Sequence, residues 1–271
     1  MTRHDWNCAA LALACAAALL AGCAARAPVS SGEARAELAP AGTLRVAVFT
    51  GNPLIGKRNE KTGEVGGITV TLATALAGRA GVPLKVIEYT TVAKVVEGAG
   101  TGAWDVAVLG VDDARRNVID YAPAHLTVDF TYLVAPGSAI RSVADADRPG
   151  VRIAAARGGV PALVLERTLS KATLVVAASE SSAFDMLRTG KVQAIAQNRS
   201  LLMDLAESLP HSRVLDDRLL AAELAFALPR SRPKALAYVS QFIEQEKASG
   251  AVGRAVQAAG VRGVNVAPVA R

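Results

Sequence analysis

The sequence contains little of what most catalytic and metal sites are built from. Its 271 residues include three cysteines, three histidines and 4% aromatic residues. His125 and His211 are the histidines outside the N-terminal region, and they lack the HxxxH or HxH spacing of metal ligands. The GxSxG motif of a nucleophilic serine is also absent. The composition therefore predicts no metal, no cofactor and no catalytic residue.

Charge is spread thinly along the chain. The formal net charge is +6, and no run of lysine and arginine is longer than two residues. Because nucleic-acid surfaces need clustered basic residues, often with aromatic ones between them, we predict no nucleic-acid partner. The glycine-rich residues 98–102 precede a predicted strand and do not follow one, which is the wrong context for a dinucleotide-binding motif. The modest positive charge is compatible with an anionic ligand.

The N-terminal residues have the pattern of a bacterial secretion signal. Arg3 precedes thirteen consecutive apolar residues, 8–20, a run shorter than the roughly 20 residues that span a membrane. The word LAGC at residues 20–23 follows directly and resembles the bacterial lipobox. We therefore predict a lipoprotein signal peptide over residues 1–22 and lipidation of Cys23. The alternative is an ordinary signal peptide that contains a cysteine.

The residues from Cys23 onward predict a tether and then a folded region without thiols. Residues 23–42 are rich in Ala, Pro, Ser and Gly without a sustained apolar period, which is typical of a flexible linker. Cys8 and Cys15 lie in the segment predicted to be removed, so disulfide and thiolate chemistry are excluded from the mature fold. Stability must come from a hydrophobic core, and the chain is long enough for one domain or two.

From residue 43 onward, short β-like runs alternate with segments of helical period. The β-like runs are residues 44–50, 84–90, 105–110, 151–156, 173–178, 192–197 and 223–229. The predicted helices are residues 69–80, 92–97, 161–170, 181–188, 233–247 and 251–259. Strands that alternate with helices indicate βαβ units and a parallel sheet, so the predicted fold class is α/β. Two similar series of this kind favour two lobes.

Five sequence words occur in an order that is similar to one protein family. They are GTLRVAVFTGNP, TGEVGGITVTLATALA, WDVAVLGVDDARRNVIDYAPA, GVRIAAARGG and GKVQAIAQN. The chain resembles the bacterial extracellular solute-binding proteins of ABC importers, family 3, which have the two-lobed type II periplasmic binding protein fold. The resemblance implies that each lobe has a mainly parallel sheet flanked by helices and that the ligand lies in the cleft between the lobes.

The same resemblance implies domain boundaries. Lobe one would comprise residues 43–130 plus 225–265, and lobe two residues 137–220. Two extended hinge crossings would lie near residues 130–136 and 219–228. Closure of the lobes about this hinge is then the expected functional motion.

The family pattern also implies an anion-binding arginine. In the family an arginine five residues before an aspartate holds the ligand carboxylate, and Arg115 has this position relative to Asp120. A guanidinium can hold a carboxylate with two parallel hydrogen bonds, so Arg115 is predicted to contact the ligand close to Gly110. Asp112 stands where the family has threonine, and we expect it to N-cap the short helix that carries Arg115. Arg116 is expected to be solvated.

The second lobe is implied to contribute a helix start and a strand end. Gly158 and Gly159 match the family's pair at a helix N-terminus, where main-chain N–H groups bind an anionic group. Val160 stands where the family has a hydroxyl residue. Asn198 stands where amino-acid binders have the aspartate that pairs with the ligand ammonium. Both departures weaken the expectation of an ordinary amino-acid ligand.

Phe49 and Asn52, near the end of the first strand, complete the predicted site. Because Asn198 carries no charge, Asp112 is the only acid that the sequence places in the cleft. A buried ammonium without a partner is costly. If Asp112 is held by the helix start or by Arg115, we expect 2-oxo or 2-hydroxy acids, or aromatic or aliphatic monocarboxylates, to bind better than the matching amino acids.

These features predict the substrate-binding lipoprotein of an ABC transporter. It would capture a small organic anion, a carboxylate or an amino acid, and deliver it to a permease and its ATPase. The expected location is the periplasm, where a monomer is held to the cell membrane or outer membrane by its lipid anchor alone. Two alternatives stay open: a cyclohexadienyl dehydratase-like enzyme on the same fold, with Asp112 as the general acid, and a sensor or accessory protein without a transport role.

Overall fold

The structure is a computed structural model that describes residues 31–261 and 263–270. The predicted signal peptide, Cys23 and the first part of the predicted tether lie outside these residues. The strands of the described chain are β1 Leu44–Phe49, β2 Lys57–Arg58, β3 Val65–Gly66, β4 Leu84–Tyr89, β5 Val106–Gly110, β6 Ile119–Val134, β7 Arg152–Ala156, β8 Thr173–Ala177, β9 Ala194–Asn198, β10 Arg213–Val214, β11 Leu220–Pro229 and β12 Val264–Val266.

The helices of the same residues pack on both faces of the main sheet or lie at its ends. They are α1 Ser31–Leu38, α2 Ile68–Ala80, α3 Val92–Thr101, α4 Val143–Ala146, α5 Val160–Thr168, α6 Glu180–Arg188, α7 Arg199–Glu207, α8 Pro233–Ala248 and α9 Ala251–Ala259, with a 3-10 turn at Asp113–Arg115. A search of this described part found no helix with the length and apolar character needed to cross a membrane.

One continuous sheet carries most of the described strands. Its order is β4-β1-β5-β11-β6-β9-β7-β8, with β10 and β12 paired to β6. β1 runs parallel to β4 and β5, and β7 runs parallel to β8 and β9. β6 and β11 run antiparallel to their neighbours. The predicted α/β class is confirmed.

The composition of the elements explains why they form. β1 and β5, LRVAVF and VAVLG, are buried along their length except for the half-buried Arg45. Strands of a parallel sheet need such apolar runs because helices cover both faces. Helix α2 buries Ile68, Leu72 and Leu76, which share one face at helical spacing. It ends at Gly81, whose left-handed backbone lets its N–H bond the last turn.

Strand β6 connects two halves of the sheet. Its residues up to Phe130 pair with β11, and those from Phe130 onward pair with β9. We call β4, β1, β5 and β11 the first half of the sheet, and β9, β7 and β8 the second half. The largest hydrophobic cluster includes Phe130, whereas Tyr132 and Leu133 belong to two separate clusters on opposite faces of the second half. On the returning chain, Leu219 packs with one of the second-half clusters and Leu220 with the first-half cluster.

The predicted tether is wrong for residues 31–42. These residues contain helix α1, and Ala34 and Leu38 have no exposed surface. The Glu37 carboxylate accepts hydrogen bonds from the main-chain N–H groups of Lys234 and Ala235, at 2.8 and 3.1 Å, and so caps the start of α8. A short helix with few apolar residues lacks a clear helical period, and it is stable here because it packs on α8.

Most other elements occur close to their predicted positions. The helices predicted at residues 69–80 and 251–259 occur as Ile68–Ala80 and Ala251–Ala259. Helix α7 was not predicted. It begins directly after Asn198, whose side chain accepts the N–H of Leu201 as an N-cap.

Candidate functional site

A cavity lies where the two halves of the sheet face each other. It forms at the carboxyl ends of β1, β5 and β9 and beside the turns that follow β7 and β8, the edge at which open α/β sheets bind ligands. Its lining residues are Phe49, Asn52, Leu54, Ile55, Val92, Val108, Leu109, Gly110, Arg115, Phe130, Gly159, Val160, Pro161, Glu180, Gln197, Asn198 and Leu224. Most are apolar, and Arg115 and Glu180 are the only charged side chains in this described set.

Arg115 lies in the cavity wall, as predicted, and is 5% exposed. Its Nη1 atom donates to the carbonyl of Gly110 at 2.7 Å, and its Nη2 atom donates to the carbonyl of Gly158. Gly110 belongs to the first half of the molecule and Gly158 to the second, so this guanidinium bridges the cleft. Within the described residues no carboxylate forms an ion pair with it. This buried cation therefore has hydrogen-bond acceptors but no ion-pair partner among the described residues.

Asp112 caps the 3-10 turn that carries Arg115, as predicted, with Oδ1 accepting the N–H of Ala114 at 2.9 Å. Its Oδ2 accepts from Arg167 on α5 at 3.1 Å, which forms a second bridge across the cleft. Burial raises the pKa of Asp112, but the bonds from Arg167 and Ala114, together with nearby positive charge, bring that pKa below its usual value.

The structure corrects the role expected of Asp112 as the acid of the cleft. Its side chain does not line the cavity that contains Arg115. It already has a cationic partner in Arg167, and its lowered pKa is the opposite of what a general acid needs at neutral pH.

The glycine turn after β7 contributes differently from the expected anion site. The N–H of Gly159 donates to the carbonyl of Ala156 at 3.0 Å, so it is not free for a ligand. Gly158, at a φ of 72°, presents its carbonyl to Arg115. Val160 packs into the first-half core and meets Gly110 so closely that a Cβ at residue 110 would lie 2.3 Å from its side chain. The turn therefore closes the cleft with a carbonyl and an apolar side chain.

Phe49 and Asn52 both line the cavity from the first half. Phe49 is 3% exposed and belongs to the hydrophobic core as well as to the cavity wall. The Oδ1 atom of Asn52 accepts the N–H of Leu54 at 3.1 Å and thereby holds the turn after β1. This turn brings Leu54 and Ile55 to the cavity.

Asn198 lines the cavity, but its side chain has local partners. Its Oδ1 atom accepts the N–H of Leu201 at 2.9 Å, which caps α7, and its Nδ2 atom lies 3.2 Å from Oε1 of Gln197. The side chain is 1% exposed. Asn198 is therefore engaged in holding the start of a helix.

Glu180 and Gln197 also line the cavity, and neither was predicted from the sequence. Glu180 is the first residue of α6, after the N-cap Ser179, and it lines the same cavity as Arg115. Its described partner is Nε2 of Gln197, at the long distance of 3.4 Å. Burial raises the pKa of Glu180 to about 7. The available signal was the tendency of open α/β sheets to bind ligands at the carboxyl ends of their strands. Gln197 is the last-but-one residue of β9, and Glu180 lies three residues after the end of β8.

Arg116 differs from Arg115 in exposure and in its ionic partner. It is exposed, it pairs with Asp113 at 2.6 Å, and its guanidinium lies 5.6 Å from the ring centre of Tyr121. The prediction that Arg116 is solvated is confirmed. Within the described residues no three side chains gather in a way that could hold a metal ion.

Comparison with known proteins identifies the family. The profile of the bacterial extracellular solute-binding proteins, family 3, matches residues 44–258. The chain belongs to this family. The resemblance deduced from the sequence words is thereby confirmed.

The relatives agree with this family. The glutamine-binding protein of Geobacillus stearothermophilus is 24% identical over 181 residues, which cover 65% of this chain and 68% of that protein. The solute receptor for L-cysteine of Neisseria gonorrhoeae superimposes with a TM-score of 0.74 at 22% identity, covering 83% of this chain and 92% of the other. The ancestral amino acid-binding protein AncCDT-1, a precursor of cyclohexadienyl dehydratase, gives 0.71 at 24% identity, covering 83% and 98%. These structures share the predicted type II periplasmic binding protein fold, which is confirmed.

Proposed function

We propose that this solute-binding protein captures a small organic solute through the solute's carboxylate and delivers it to an ABC permease and its ATPase. The observation that carries the proposal is Arg115, a buried cation in the cavity wall that forms no ion pair with a carboxylate of the described residues. Two main-chain carbonyls accept hydrogen bonds from it but do not neutralise it. A ligand carboxylate would provide both hydrogen bonds and charge.

The proposed cycle uses the contacts that now cross the cleft. The two halves of the sheet would act as lobes that move about β6 and β11, near residues 130–136 and 219–228, where the packing passes from one hydrophobic cluster to another. In the open form Arg115 would lose the carbonyl of Gly158. A carboxylate that enters at this point would take its place as the cleft closes.

The names of the relatives support transport of an amino acid or a similar solute. They include a glutamine-binding protein and a receptor for L-cysteine. We propose a periplasmic location, with lipidated Cys23 as the anchor in the cell membrane or the outer membrane. A sensor that binds without transport would use the same cleft and is distinguished by its genomic neighbours.

Paired arginine variants test the binding site. We expect Arg115→Ala to abolish measurable binding of carboxylate ligands in calorimetry, since each lost charge-assisted hydrogen bond is typically worth about 1.5 to 3 kcal/mol. Arg116→Ala is the matched control, because this neighbour is exposed and pairs with Asp113. A thermal-shift screen of a metabolite library would first supply the ligand. Equal affinity in the two variants would remove Arg115 from the site.

The anchor has its own test. We expect Cys23→Ser protein to move from the membrane fraction to the soluble periplasmic fraction while it keeps its fold and its ligand. Retention of the variant in the membrane fraction would show that the lipobox interpretation is wrong.

A second candidate function is supported by Glu180. Glu180 is half-buried, and burial raises its pKa to about 7, so its carboxyl group could donate a proton to a leaving hydroxyl, which a dehydratase of the cyclohexadienyl type requires. Loss of prephenate or arogenate absorbance on incubation with the protein tests this function directly. Unchanged absorbance would contradict the dehydratase function and leave solute binding as the proposed function.

A further inference from the structure

The cavity contains two opposite charges that do not neutralise each other. Arg115 and Glu180 both line it, yet their charged atoms are too far apart for an ion pair. Arg115 contacts carbonyls, and Glu180 contacts a neutral amide at 3.4 Å. Removing unpaired charges from water is costly, and two of them facing one small cavity indicate a ligand that carries both complements.

Asn198, at the position where the family resemblance implied an ammonium-binding acid, is unsuited to that task here. Asn198 is neutral, and its amide oxygen already accepts the N–H of Leu201. Asp112, the other acid near the cleft, is paired with Arg167 and lies outside the cavity wall. Among the described residues that line the cavity, Glu180 is the one carboxylate left for a ligand cation.

Resting on the proposed function, we infer that Glu180 is a specificity-determining residue that replaces the strand-end acid and binds the α-ammonium of an amino acid whose carboxylate binds Arg115. The rest of the wall limits the side chain of that ligand. It consists mainly of apolar residues, including Leu54, Val108 and Phe130, and offers no third charge. The ligand class is therefore the α-amino acids with a small, apolar side chain.

This inference reverses the expectation drawn from Asn198 alone. A 2-oxo acid would satisfy Arg115 but leave Glu180 without a cation and place a carbonyl oxygen near its carboxyl group. An amino acid satisfies both. The helical position of Glu180 explains why the acid was missed, since the ammonium site has moved from the end of β9 to the first residue of α6.

Matched ligand pairs measured by calorimetry on the full mature chain decide the question. Suitable pairs are L-alanine with pyruvate, L-valine with 3-methyl-2-oxobutanoate, and L-leucine with 4-methyl-2-oxopentanoate. We expect the amino acid of at least one pair to bind about 10- to 100-fold more tightly than its oxo acid, the range of one charge-assisted hydrogen bond. Tighter binding of every oxo acid would overturn the inference while preserving the proposed carboxylate site.

The variant Glu180→Gln keeps the shape and removes the charge. We expect its affinity for the amino acid to fall about 10- to 100-fold while its affinity for the oxo acid stays within about threefold. The exposed Glu97→Gln is the matched control. The assignment would be overturned if Glu180→Gln left the ratio of amino-acid affinity to oxo-acid affinity unchanged. Tighter binding of L-arginine or L-lysine than of any apolar amino acid would also overturn it. Failure of all carboxylates to bind would refute the proposed function with it.

Discussion

Two of the sites where the described residues bury charged side chains differ in how the charges are paired. Asp105 has no exposed surface, and its carboxylate accepts from Arg45 main-chain N, Nε and Nη2 at 3.0, 2.9 and 2.8 Å and from Arg232 Nη1 at 2.9 Å. Arg115 and Glu180, in the cavity, have no ionic partner among the described residues. The first site is complete within the protein, whereas in our proposal a ligand completes the second.

The contrast separates structural from functional charge. Asp105 connects the start of β1 with the residue before α8, and the bond from Arg45 to this carboxylate raises the pKa of the arginine. Arg115 in the cavity also bridges two segments, but it does so through main-chain carbonyls and without a carboxylate. A charge that the fold needs is neutralised by the fold, and a charge that is buried without a partner indicates a binding role.

The largest effect is expected where pairing is complete. Asp105→Ala leaves Arg45 and Arg232 without their shared carboxylate, so we expect a loss of about 3 to 5 kcal/mol in the free energy of unfolding, measured by urea titration. Asp113→Ala, which breaks the exposed pair with Arg116, is the control and should cost less than about 1 kcal/mol. Similar losses in both variants would contradict the distinction between these sites.

A smaller effect of opposite sign is expected at Glu180. Burial raises its pKa from 4.5 to about 7, so between these values the folded protein holds a proton that the unfolded chain has released. This group therefore favours folding less as pH rises from 4.5 to 7, and the loss is complete above pH 7. Glu180→Gln should be more stable than the unmodified protein at pH 8, by about 1 to 3 kcal/mol, and similar to it at pH 4.5.

Melting temperatures at both pH values, without ligand, measure this difference. Glu97→Gln is again the control, because that side chain is exposed. The same gain in stability at both pH values would show that the ionisation of Glu180 is not its cause.

The smallest effect is expected for the bridge between Asp112 and Arg167, which is intermediate between the two sites. Asp112 is buried, but the Arg167 side chain is 55% exposed, so solvent screens the pair. Arg167→Ala should lower the free energy of unfolding by less than about 1 kcal/mol, because Asp112 keeps its bond from Ala114. A loss comparable to that of Asp105→Ala would place this bridge with the structural charges.

Part of the site follows from local sequence. The family pattern implied Arg115, which stands five residues before Asp120, and the place of Asp112 before a short helix predicted its N-cap role. Both depend on residues close together in the chain. The second partner of Asp112, Arg167, is 55 residues away, and no local pattern connects the two.

Two outcomes depended on elements that local sequence did not reveal. Helix α1 was taken for a tether because its eight residues have weak apolar periodicity, and its stability depends on contacts with α8, nearly 200 positions later. Asn198 was interpreted by its place in a family word, but its side chain is held by α7, an unpredicted helix. In each case a distant or unrecognised element decided the outcome.

Hydrophobic periodicity and short motifs are local properties, so the α/β class, the positions of most strands and helices and the family could be predicted from the sequence. The family pattern also implied the place of Arg115 in the cavity wall. Only the tertiary structure decided which charges are paired. Pairing depends on which strand ends meet across the cleft. The tertiary structure places Glu180 in the same cavity as Arg115, and it pairs Asp112 with Arg167. The ligand preference inferred for this protein rests on that difference.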